Sequence, residues 1–167
     1  MKKIILCLFL SITATWALPV LKPTEDQMYR VDGKPWTSND LKGKVQVVFY
    51  VDPDEKELNV HVEKALNKQN FPKDKFATTA IINMEATWVP NMILNGLLED
   101  KQEEYPDTVY IKDFDSTMVK SWGMADDAYD IMVLDSKGIK LVHYKGAELN
   151  KKQVKELIRT IKRSLKK

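Results

Sequence analysis

Two periods of apolar residues run along this chain. Val45-Gln46-Val47-Val48-Phe49-Tyr50-Val51 is a short, mostly apolar run of β-branched and aromatic residues, the profile of a strand buried on both faces. Asp52-Pro53-Asp54-Glu55 follows it. Asp52 is placed to cap a helix, Pro53 suits the first helical position, and Glu55 completes a capping box. The spacing predicts a helix over 53–69 with Leu58, Val62, Ala65 and Leu66 on one face, ended before Pro72. Phe76 to Asn83 reads as a second core strand, so the three elements predict a right-handed parallel strand–helix–strand unit.

The pattern then predicts a loop over 85–90 that carries Trp88. A helix over 90–102 follows, with Ile93, Leu94, Leu97 and Leu98 as its apolar face. Val109 to Ile111 is a third strand. Met118, Val119 and Trp122 mark a short helix stopped by Gly123. Ile131–Leu134 and Lys140–Tyr144 are strands joined through Asp135-Ser136-Lys137-Gly138. Asn150 caps a last helix, with Gln153 at the capping-box position and Val154, Leu157, Ile158, Ile161 and Leu165 as its core stripe. Ahead of all this, 18–35 reads as an extended arm held by Pro19 and Pro23, and Trp36 to Leu41 as a single helical turn.

The 167 residues, 44% hydrophobic and 30% charged, suffice for one globular domain over 36–167. Residues 1–17 have the form of a secretory signal: Lys2 and Lys3, the apolar segment Ile4 to Ile12, then Thr15-Trp16-Ala17. Export is expected, to a bacterial periplasm, with an uncleaved anchor as the alternative. Cleavage after Ala17 would remove Cys7, the single cysteine, and with it any internal disulfide or thiol chemistry. It would also remove Lys2 and Lys3, taking the formal charge of +2 to zero. A neutral exported domain gives no reason to expect nucleic acid as a partner.

Leu41-Lys42-Gly43-Lys44-Val45 resembles the entry strand of periplasmic thioredoxin-like and peroxiredoxin-like proteins, and Val133-Leu134-Asp135-Ser136-Lys137-Gly138 resembles their late hairpin. An ordered series is similar to the YtfJ family of exported, cysteine-poor thioredoxin-like proteins. It comprises Trp36, Asn59, Ala65, Pro72, Thr79, Asn83, Leu98-Glu99, Tyr105-Pro106, Asp113, Trp122 and the Val133-Leu134-Asp135 hairpin. The resemblance implies an α/β thioredoxin-like fold, a central mixed sheet with helices on both faces. It brings no settled activity. The turn that holds a Cys-x-x-Cys pair in thioredoxins holds Asp-Pro-Asp-Glu here, and Asp126 to Asp130 lacks the proline found opposite that pair. Dithiol exchange therefore has no nucleophile.

The remaining candidate chemistry is oxygen- and nitrogen-based. Asp52, Asp54, Glu55 and Glu57 read first as caps and dipole partners, worth about 0.3–1 kcal/mol per charge. The alternative is non-redox chemistry using Asp52–Glu55 or His61. The four acids lack the spacing and glycine of a calcium loop, and neither His61 nor His143 has a ligand partner at zinc spacing. No catalytic residue, metal or cofactor is assigned. Trp88 is expected to plug the sheet edge, with a partner anchor as the alternative. The leading expectation is a protein- or peptide-binding module of the envelope that uses Tyr50, Asp52, Asp54, Glu55, Trp88 and Tyr129 along the turn edge. The last helix carries Lys151, Lys152, Lys155, Arg159, Lys162, Arg163, Lys166 and Lys167 against one acid, Glu156. That reads as a solvated face, with contact to a membrane surface as the alternative.

Overall fold

The computed structural model describes residues 18–24 and 27–167. The leader reading, with Cys7, lies outside the described residues. Among those described, no helix is long and apolar enough to cross a membrane.

The elements are β1 (Met28–Arg30), β2 (Val45–Val51), α1 (Val60–Asn67), β3 (Phe76–Asn83), α2 (Asn91–Glu104), β4 (Thr108–Asp113), α3 (Thr117–Trp122), β5 (Tyr129–Leu134), β6 (Lys140–Tyr144) and α4 (Lys151–Ser164). The strands form one mixed sheet in the order β1-β4-β3-β2-β5-β6. β2, β3 and β4 run parallel; β5 and β6 return antiparallel beside β2, and β1 is antiparallel to β4. This is the mixed sheet that the sequence predicts.

Every residue of β2 is buried, because β2 is central and both faces are covered. Alternate side chains divide between two cores. Val47, Phe49 and Val51 pack under α1, α2 and α4. Val48 and Tyr50 pack under α3 and the N-terminal arm. The last helix forms as expected: Asn150 accepts from the backbone N–H groups of Lys152 and Gln153, and Gln153 completes the box. Gly123 holds φ +65° at the end of α3, where a residue without Cβ is favoured.

Three expectations are corrected. The helix after β2 does not begin at Pro53. Pro53–Glu55 is one 3-10 turn, Asp52 caps Asp54 without a reciprocal bond from Glu55, and α1 starts at Val60. The break falls at Asn59, which is fully buried and committed elsewhere: its amide accepts from Leu149 N (3.0 Å) and donates to Ala147 O (3.2 Å). The arm is not a mere extension. β1 pairs with β4, Pro19 O accepts from the Trp122 indole at 2.9 Å, and Leu21 and Met28 join the second core, so the arm supplies a strand and core residues to the domain. A three-residue strand is too short to show alternation in sequence. Finally, α2 buries only Leu94 and Leu98. Ile93 and Leu97, expected on the buried face, stand 56% and 50% exposed.

Candidate functional site

Three connections meet where the parallel strands end, the edge at which open α/β sheets place ligands. β2 runs into the acidic turn. The Asp52 amide donates to Ala128 O (2.9 Å), which fixes this turn against the segment entering β5. Asp52 Oδ1 accepts from the Asp54 amide at 2.8 Å. Asp54 Oδ1 in turn accepts from the Thr87 hydroxyl at 3.1 Å, and that hydroxyl also accepts from the Val89 amide. The loop between β3 and α2 is thereby tied to the acidic turn, with Trp88 at its tip. Trp88 is 86% exposed and Met92, in the first turn of α2, is 84% exposed. The expectation that Trp88 plugs the sheet edge is overturned: its side chain stands in solvent, and it is the neighbouring Val89 that packs against the core. Asp54, Glu55, Glu57, Leu58 and Glu148 line an open, shallow depression of about 340 Å³ beside the turn.

The predicted contact residues therefore separate by depth. Asp54, Glu55 and Trp88 are exposed along one edge. Tyr50 and Tyr129 are each 1% exposed and lie on opposite faces of the sheet, so neither reaches a partner. The Tyr50 hydroxyl donates to Asp113 Oδ2 (3.2 Å), and the Tyr129 hydroxyl donates to Glu63 Oε1 (2.6 Å). Burial pushes both phenols well above their ordinary value, and the carboxylates at Asp113 and Glu63 add to it. Asp52 is also buried and supports the turn from below. His61 is a structural donor: its Nε2 lies 2.7 Å from Leu149 O, where only a donating N–H satisfies the contact.

Burial, with smaller contributions from Asp54, Asp127 and Glu55, holds the Asp52 carboxyl above the usual carboxylate range. The folded state then binds this proton more readily than the unfolded chain. The associated stability is full below the ordinary value of 3.8 and is lost as pH rises through the raised folded value. Asp52→Asn keeps the oxygen that accepts from Asp54 and removes the charge. Its urea midpoint should exceed that of the parent at neutral pH and converge with it near about pH 3.5. A parent more stable than the variant at neutral pH would refute this account.

Two polar clusters escape sequence reasoning. Asn83 and Asp113 end β3 and β4 side by side in register. Asp113 accepts from the amides of Thr117 (2.8 Å) and Met118 (3.0 Å) as well as from Tyr50. Asn83 Oδ1 accepts from the Ser116 hydroxyl at 3.0 Å, and its amide donates to Asp126 at 3.0 Å. On the other side of β2, Asp130 is 1% exposed. Its Oδ1 accepts from the Gly146 amide (2.6 Å), and its Oδ2 accepts from the Ala125 amide (2.9 Å) and His143 Nε2 (2.7 Å). Asn83 and Asp113 stand in the ordered series of the family resemblance and each closes an apolar strand run, but neither signal names their partners. Among the described residues, no group of three or more His, Cys, Asp or Glu is arranged to hold a metal.

This sheet order, with helices on both faces, is a thioredoxin-like fold. A thiol-disulfide isomerase of Corynebacterium glutamicum superposes on it with a TM-score of 0.63 at 17% identity, over 90% of this chain and 97% of that one. The chain belongs to the family described as "Bacterial protein of unknown function (YtfJ_HI0045)", whose model matches residues 24–164. An uncharacterized protein of Haemophilus influenzae is 30% identical over 95% of this chain and 96% of its own length. The Escherichia coli K12 protein YtfJ, also uncharacterized, is 26% identical over 80% of this chain and 73% of its own.

Proposed function

We propose that this chain is an exported protein of the bacterial envelope that binds a protein or peptide partner at the loop edge and has no dithiol activity. Residues 18–167 contain no cysteine, and the turn that would hold one is Asp-Pro-Asp-Glu. The observation that carries the reading is the presentation of Trp88. A large aromatic side chain held 86% exposed on a hydrogen-bonded loop is costly to leave in water and well suited to anchor a partner. Met92, Ile93 and Leu97 on the following helix α2 are exposed apolar side chains as well, and the Thr87–Asp54 hydrogen bond brings the acidic turn to the Trp88 loop. Large apolar side chains left exposed on neighbouring elements beside charge are characteristic of interaction sites. The contact surface is therefore Asp54, Glu55, Trp88, Met92, Ile93 and Leu97; Tyr50, Asp52 and Tyr129 support it from within. The form of residues 1–17 supports export.

Trp88→Ala should leave stability within about 0.5 kcal/mol of the parent, since the side chain is exposed. It should weaken partner binding at least about tenfold. Photo-crosslinking from position 92 in intact cells, followed by identification and titration of the captured protein with parent and Trp88→Ala forms, checks both. A crosslinked partner bound equally by the two forms, or no specific crosslink at all, would remove the reading.

A further inference from the structure

α4 buries Val154, Leu157 and Ile161 against the sheet. Lys151, Lys152, Lys155, Arg159, Lys162, Arg163, Lys166 and Lys167 are all exposed. At helical spacing, Lys151, Lys155, Arg159 and Lys162 fall on one line about 17 Å long, flanked by Lys152 and Arg163. The single acid, Glu156, is half-buried at the border of this face. Among the described residues, none of the eight cations has an acidic partner within 4.0 Å.

Helix stability does not explain this face. Lys162 and Arg163 in the last turn complement the macrodipole, but the first turn holds no acid and begins with Lys151 and Lys152, which oppose it. Like charges four apart, at 151/155 and 155/159, repel. The stripe is straight, faces solvent, and carries no aromatic side chain on which a base could stack. We propose that the outer face of α4 docks this protein on an anionic phospholipid surface, with the helix axis parallel to the membrane plane. The complementary charge is the headgroup layer. The apolar stripe is consumed by the core, so the helix lies on the headgroups without inserting, and the association is electrostatic and reversible. This proposal rests on the residues of α4 alone and does not depend on the partner reading.

The test is co-sedimentation of the full chain with sucrose-loaded vesicles, either phosphatidylcholine alone or with about one third phosphatidylglycerol. The parent is compared with a form carrying Lys155→Gln, Arg159→Gln, Lys162→Gln and Lys166→Gln, whose helix content is checked by circular dichroism. The parent should sediment with the anionic vesicles, not with the neutral ones, and be released by about 0.5 M salt. The variant should partition at least about 100-fold more weakly with its helix content unchanged. Equal partitioning of parent and variant would overturn the proposal, as would binding of the parent to both vesicle types alike. A mixed-sequence DNA duplex that strips the parent from anionic vesicles at equal phosphate concentration would assign the face to nucleic acid instead.

Discussion

Asp113→Ala should destabilise the folded domain by about 3–5 kcal/mol, a large share of the roughly 5–15 kcal/mol that holds a domain of this size together. Asp113 is fully buried at the end of β4. Its two oxygens take the first amides of α3 and the Tyr50 hydroxyl, so one carboxylate joins β4, α3 and β2. The alanine leaves three donors without an acceptor in a water-poor region, at about 1–3 kcal/mol each before relaxation. Asp113→Asn keeps one oxygen and should lose roughly half as much. Urea denaturation of both variants gives the comparison, and a loss below about 1 kcal/mol in the alanine form would show that the carboxylate is dispensable.

Asp130→Ala comes next, at about 3–4 kcal/mol. The Asp130 carboxylate accepts from Ala125, Gly146 and His143, joining the loop after α3 to the connection between β6 and α4. Its loss should be local as well as global. The Ala125 and Gly146 amides should lose hydrogen-exchange protection by a larger factor than the centre of β2. His143→Leu, which removes one donor and leaves the two amides satisfied, should cost less than half as much. Uniform loss of protection across the sheet, or none at Gly146, would contradict this assignment.

Much of the fold was legible because it follows from neighbours in sequence. β2 and β3 begin and end where their apolar runs do. The caps at Asn150 and Gly123 act within a few residues of themselves, so their chemistry identifies them. The site was less legible. Asp54, Glu55 and Trp88 were nominated, but so were Tyr50 and Tyr129, because adjacency in sequence carries no information on which face of a central strand looks outward when both faces are covered. Asn59 looked like an ordinary helix residue; its partners lie 88 and 90 positions away at Ala147 and Leu149. Nothing local to Asp130 announces that His143 and Gly146 will close on it.

The order and type of the main elements, the mixed α/β architecture, the placement of the single cysteine at Cys7 and the cationic face of α4 all follow from the residues alone. These are properties of periodicity, composition and short-range capping, and they survive without knowledge of any long-range contact. Only in the folded chain does the N-terminal arm supply a strand, α1 begin at Val60, Trp88 face water, and Asp113 and Asp130 become buried hubs. Each of those depends on which distant groups arrive to satisfy a backbone amide or cover an apolar surface. A hydrogen bond across 60 or more residues is a consequence of packing, and packing is settled only when the whole sheet closes.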